Sequence, residues 1–230
     1  MTYNGINFSK TGTYGGTMQV FYSPAHNRLL EVVNGAIMDK DYAPALYEKA
    51  FAGDFGYYNH STGKFQLLKT FKLHTAIDDT STKMVFYQTE FDHVLHEGDV
   101  ICIAPATAST TGIAITVGAV TLSTVGGVQV GTIDITAKTW GESVEIPAGT
   151  IFVIGAEAGS GKLPKLTTIN AILGSDVDIT IPLKSSNFQS GYGDITCYPY
   201  YHGVLIKESI KLPEYVELLN KLPNTDYFEL

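Results

Sequence analysis

The residues best placed to hold a metal lie in Asp92-His93-Val94-Leu95-His96-Glu97-Gly98-Asp99. His93, His96 and Asp99 offer imidazole nitrogen and carboxylate oxygen close together, a donor set that suits zinc. The spacing argues against a shared ion. His-x-x-His in an extended strand sends its two rings to opposite faces. The helical zinc motif needs histidines four residues apart with a glutamate between them. The expectation is a polar loop that leads into a strand over Val100–Ala104, with no metal and no cofactor.

Two further stretches imitate catalytic motifs and fail at defined positions. Ala156-Glu157-Ala158-Gly159-Ser160-Gly161-Lys162-Leu163 has the look of a phosphate-binding loop. Ala156 stands where the first glycine belongs, Leu163 where the Mg²⁺-binding hydroxyl belongs, and Pro164 follows. A turn after the strand Thr150–Gly155 is expected instead. Asp79-Thr80-Ser81-Thr82 approaches the aspartic protease signature, but Ser81 replaces the glycine that lets the backbone turn tightly. A strand-connecting turn carrying Asp78 and Asp79 is expected. No Gly-x-Ser-x-Gly elbow and no Cys-x-x-Cys pair occurs, and His26, His60, His74 and His202 are scattered.

Tyrosine is the more informative residue. Phe55-Gly56-Tyr57-Tyr58-Asn59-His60 and Tyr198-Pro199-Tyr200-Tyr201-His202 set several rings beside glycine, proline and polar residues. Tyrosine brings a large contact area and a hydroxyl at low entropic cost, which suits protein interfaces and sugar stacking. Tyr57, Tyr58, Tyr200 and Tyr201 are the interface candidates in the body of the chain. Tyr3, Tyr14 and Tyr22 are those of its leading segment. Ordinary strand packing is the competing account of the same residues.

These side chains belong to a chain of 230 residues with 44% hydrophobic and only 17% charged residues. Globular chains carry about 25% charged residues. Fifteen Lys+Arg against 23 Asp+Glu give a net charge of -8, and Arg28 is the only arginine. A nucleic-acid partner is therefore not expected, because affinity for phosphate comes from Lys and Arg displacing counterions. No run approaches the ~20 apolar residues of a membrane span. The first residues show neither a basic nor an apolar signal region. Cys102 and Cys197 read as two reduced core thiols, with one disulfide as the alternative.

Along the chain, residues 1–66 read as an extended arm rich in Gly, Asn and Tyr, with one short helix near residues 43–52. Asp41 and Pro44 supply the helix-start signals. Residues 67–185 read as strands. Met84, Phe86 and Gln88 alternate with Val85 and Tyr87. Ile113, Ile115 and Val117 share a face. Val177 to Ile181 alternates, and Thr121–Val125 and Val128–Val130 flank Gly126-Gly127, a hairpin signal. Short strands at such spacing predict a mainly β fold, an antiparallel β-sandwich or barrel. Glu97-Gly98-Asp99-Val100-Ile101-Cys102-Ile103 echoes Ala148-Gly149-Thr150-Ile151-Phe152-Val153-Ile154, each a glycine turn feeding an apolar strand into one sheet. Residues 186–230 read as strands near 195–201 and 203–206. A terminal helix is expected over 213–222, with Tyr215, Leu218, Leu219 and Leu222 on one face.

The segments Leu95–Ile101 and Val144–Ile151, together with Tyr198-Pro199-Tyr200-Tyr201-His202-Gly203-Val204-Leu205, resemble tailed-phage capsid decoration and head-fibre proteins, those of crAss-like phages among them. The resemblance covers about the second half of the chain. It implies a non-enzymatic virion protein, a homo-oligomer and often a trimer, seated on the major capsid protein. A glycan-binding or adhesin module that stacks a host glycan on the tyrosines is the alternative. The low surface charge fits a molecule partly covered by neighbouring subunits or a capsid.

Overall fold

The computed structural model describes residues 35–105, 111–183, 193–200, 204–206 and 226–228. Strands are numbered in chain order. β1 (Ala36–Met38), β3 (Phe55–Asn59), β4 (Lys64–Leu67), β13 (Ala171–Leu173), β15 (Thr196–Cys197) and β16 (Pro199–Tyr200) form a six-stranded sheet, ordered β15-β1-β4-β3-β13-β16. β5 (Thr70–Lys72), β7 (Val100–Ile103), β8 (Gly112–Thr116), β11 (Ile151–Ile154) and β12 (Gly159–Lys162) form a five-stranded sheet, ordered β12-β8-β7-β11-β5. β6 (Lys83–Tyr87), β10 (Val128–Asp134) and β9 (Thr121–Val125) make a third sheet in that order. Two small pairs, β2 (Lys49–Ala50) with β14 (Val177–Asp178) and β17 (Val204–Ile206) with β18 (Asp226–Phe228), complete the set. The fold is mainly β, as expected. Strand pairing is antiparallel apart from β1 with β4 and β17 with β18.

The central strands β7 and β11 of the five-stranded sheet are apolar on both faces, because neighbouring residues of a strand point opposite ways. Ile101 and Phe152 enter a core cluster with Met84, Phe86 and Ile133 of the three-stranded sheet. Cys102 and Val153, the next residues along, enter a cluster with Phe55 and Ile172 of the six-stranded sheet. Phe152 meets Phe86 edge to face at 5.4 Å between ring centroids. Continuous apolar strands such as Val100–Ile103 and Ile151–Ile154 are the composition that burial on both faces requires.

The two glycine turns are structural equivalents. His96 to Asp99 and Pro147 to Thr150 each close with a backbone bond from the fourth residue to the first, 3.1 and 3.2 Å. Gly98 (φ 91°) and Gly149 (φ 87°) hold the third position, which makes both type II turns. Gly98 N–H donates to the Val117 carbonyl, and Val117 N–H donates to Asp99. Gly149 N–H donates to the Leu73 carbonyl, and Leu73 N–H donates to Thr150. The strands launched, β7 and β11, pair with each other antiparallel. The strand order β8-β7-β11-β5 is thus locally two-fold symmetric.

The helix expected at residues 43–52 does not form. Ala45 to Glu48 is a turn closed by Glu48 N–H to the Ala45 carbonyl at 3.1 Å, and Tyr47 has φ 70°. A positive φ at that residue is incompatible with a right-handed helix. A helix of this length is marginal in water, whereas the strand alternative finds partners. Tyr47 N–H donates to Ile179, Ile179 N–H donates to Glu48, and Ala50 pairs with Val177. Ala50 and Phe51 are buried as a result. Residues 35–66, expected as the inner part of an arm, are likewise strand and turn. β1 pairs with β15 and β3 with β13, so this stretch shares a sheet with residues from 171 onwards. The expected helix at 213–222 lies outside the described residues.

Candidate functional site

The histidine cluster is placed in a structural network. His93 is buried. Its Nδ1 accepts the Thr70 N–H at 3.0 Å, so the ring proton sits on Nε2 and is donated to Asp54 Oδ2 at 2.9 Å. Both ring nitrogens are used, and no lone pair is left for a metal. Asp54 Oδ2 also accepts the Phe51 N–H at 2.7 Å. The His93 carbonyl accepts the Gln88 amide, whose oxygen takes the Leu95 N–H. His96 turns elsewhere, with its Nε2 against Glu48 Oε1. Asp99 spends a carboxylate oxygen on the His96 N–H at 3.0 Å, which tightens the glycine turn before β7. The carboxylate partners, Asp54 and Glu48, lie 39 and 48 residues away in the chain. Among the described residues no group of three or more His, Cys, Asp or Glu side chains could hold a metal ion.

Neither motif imitation is a simple copy of its motif. Gly155 bridges to Pro164 and Ala156 N–H donates to the Leu163 carbonyl, so the chain folds back over residues 156–163, and the turn expected there carries the short strand β12, paired with β8. Lys162, the residue a phosphate would need, is paired with Glu157. Asp78 accepts the Thr80 hydroxyl, the Ser81 hydroxyl and the Thr80 N–H, and these bonds hold its carboxyl below the usual range. Asp79 accepts the Ser143 N–H. Both aspartates shape a turn.

A cleft of about 90 Å³ lies between residues of the six- and five-stranded sheets, with Asp41, Tyr42, Leu68, Lys69, Asp99 and Lys165 among its lining. Ligand pockets run to ~300 Å³ and above, so it has room for a few waters. Of its two lysines, Lys165 is committed, since its Nζ donates to the Asp41 carbonyl and stands 4.6 Å from the Tyr42 ring centre. Burial, then Asp39 and Asp41, pushes the Tyr42 hydroxyl above its ordinary value.

Tyr57 and Tyr58 are half-buried on opposite faces of β3, Tyr57 against the cluster that holds Val153 and Tyr58 against the one that holds Phe65. Tyr200 is placed by its backbone in β16, opposite Ile172. Tyr3, Tyr14, Tyr22 and Tyr201 lie outside the described residues. Among the described residues the tyrosines that face solvent are Tyr47, 85% exposed, and Tyr198, 46% exposed. Tyr47 escapes sequence reasoning because the helix expected there hides it. A tyrosine at the third position of a type II turn, where glycine is favoured, is strained. Leu46 beside it and Ile181 are also exposed. Tyr198 stands against Gly35, where the described chain starts.

Cys102 and Cys197 are both free and buried, as two reduced thiols. Burial pushes Cys102 up to about 11 and Cys197 up to about 12, so neither is an activated nucleophile. No helix among the described residues is long and apolar enough to cross a membrane. No family model matches the chain, no curated protein matches its sequence, and no solved structure matches its fold.

Proposed function

We propose that the chain is a non-enzymatic structural protein of a virion, a capsid decoration or head-fibre subunit that binds the major capsid protein. On this reading the stacked sheets are those of a β-sandwich, the leading segment is the anchor on the shell, and copies assemble together. The observation that carries the reading is where chemistry and exposure fall. The titratable clusters are engaged in holding turns and strands, as with His93 on Asp54 and His96 on Glu48. The surface instead offers apolar and aromatic groups, Tyr47, Leu122, Val125 and Tyr198. Such groups supply contact energy without reaction chemistry.

Co-sedimentation with capsids tests it. The full chain is expected to sediment with them, and deletion of Met1–Tyr22 is expected to leave the β fold intact by circular dichroism while abolishing co-sedimentation. Unchanged co-sedimentation overturns the anchor role, and a full chain that stays in the supernatant overturns the capsid reading.

A second reading, a glycan-binding module, is supported by the solvent-facing ring of Tyr47, since a sugar needs an open aromatic face to stack on. A glycan array that gives binding lost in Tyr47→Ala supports it, and an array without binding removes it.

A further inference from the structure

From Val100 to Ile133 the chain carries no Asp, Glu, Lys, Arg or His, although its net charge is -8. That stretch ends in the hairpin β9–β10, with Gly126 and Gly127 at its tip (φ 58° and 84°). β9 is an edge of its sheet, and all five of its residues are exposed, with Leu122 at 58% and Val125 at 46%. Edge strands are ordinarily guarded by charge, proline, a bulge or a covering element, because their free N–H and C=O groups template further pairing. Thr121-Leu122-Ser123-Thr124-Val125 has no charge and no proline, and its register against β10 runs without a shift. Among the described residues no strand pairs its outer side.

We propose that β9 is a self-association edge, which pairs antiparallel with β9 of a second copy about a two-fold axis at Ser123. The hydrogen-bond phase is set by the hairpin. A two-residue loop makes Val125 and Val128 the bonded pair, and bonded and non-bonded pairs then alternate. The Gln129 carbonyl, which accepts the Gln88 N–H from the β6 side, confirms that Gln129 turns away from β9. Leu122 and Thr124 therefore point their N–H and C=O groups outward. An axis at Ser123 sets Leu122 opposite Thr124 of the copy, each such pair exchanging both backbone bonds, with Ser123 opposite itself and Thr121 opposite Val125. The sheet then runs on through both subunits as β6-β10-β9-β9-β10-β6. The occupant is a second copy because copies of net charge -8 repel wherever their acidic surfaces meet, whereas this edge faces itself with no like charges. The contact is separate from capsid binding and forms between free subunits.

Light scattering on size-exclusion fractions of the full chain reads this directly. The wild type is expected to be a concentration-dependent dimer. Ser123→Lys and Ser123→Glu, which set like charges opposite each other, are each expected to be monomeric at the same concentration while keeping the wild-type circular dichroism spectrum. An equimolar mixture of the two is expected to recover the dimer. Ser123→Cys is expected to cross-link under oxidation, since a non-bonded antiparallel pair sets its Cα atoms about 4.5 Å apart. A monomeric wild type, a wild-type trimer, a dimer indifferent to Ser123→Lys, or a mixture that stays monomeric each overturns the pairing. None of these outcomes depends on a capsid being the partner.

Discussion

Strands β7 and β9 come from one charge-free stretch and end in opposite environments. In β7, Ile101 and Cys102 are buried to opposite sides, one facing the three-stranded sheet and the other the six-stranded sheet. In β9 every residue is exposed. β7 lies between β8 and β11, with a sheet over each face. β9 lies at the rim of a sheet, beyond the reach of the core that covers Met84, Phe86 and Ile133. The absence of charge therefore has two separate causes. In β7 it permits burial, where an unpaired charge would cost several kcal/mol. In β9 no burial among the described residues accounts for it, and the contact proposed between copies does.

Stability measurements can break the contrast. Phe152→Ala, in the strand beside β7, is expected to cost about 3–5 kcal/mol by urea denaturation. Leu122→Ala in β9 should stay within about 0.5 kcal/mol. Comparable losses would erase the distinction between the two regions. Gly98→Ala and Gly149→Ala are each expected to cost about 1–2 kcal/mol from the positive φ alone. A Cβ at Gly98 meets nothing within 4 Å, and at Gly149 only the end of Lys72, so no clash adds to the strain. Widely different losses would dissolve the equivalence of the two turns that launch β7 and β11.

Tyr47 sharpens the exposed side of the comparison. Tyr47→Gly relieves about 1–2 kcal/mol of left-handed strain against about 0.5–1 kcal/mol of added unfolded-chain entropy, so stability is expected to rise by up to about 1 kcal/mol, while binding to capsid or glycan falls. A gain in stability with binding intact would remove Tyr47 from the contact surface. Thiol labelling probes the buried side. Cys102 and Cys197 are expected to resist alkylation at pH 8 in the native protein and to react in urea. A thiol that ionises near 9 when unfolded and only near 11 or 12 when folded loses protons on unfolding. Folding stability then falls as pH rises above about 9. Prompt labelling of the native protein would mean that β7 opens readily.

Short-range signals of this fold were legible where the backbone alone decides. Gly126-Gly127 between two alternating runs is a primed-turn hairpin whatever surrounds it. The alternation of Met84 and Phe86 with Val85 and Tyr87 reappears as buried and half-buried positions in β6. The turns at Gly98 and Gly149 were visible as an echo, because a positive φ before an apolar strand leaves a compositional trace. Residues 43–52 show the limit. Asp41 and Pro44 are sound helix-start signals, but the competing partners, Val177 and Ile179, are remote in sequence and offer the backbone bonds that an isolated turn of helix lacks.

The candidate site was less legible than the fold for the same reason. Sequence pattern alone argued that His93 and His96 do not share an ion, since adjacent spacing along an extended chain governs where two rings point. That His93 is held by Asp54 and Thr70, and His96 by Glu48, was decided only when distant strands met. Charge content, turn chemistry and strand alternation are local properties and belong to the sequence. Which apolar strand is sealed between two sheets and which is left at a rim depends on sheet order. That order is a matter of long-range pairing, and it separates β7 from β9 although their compositions do not.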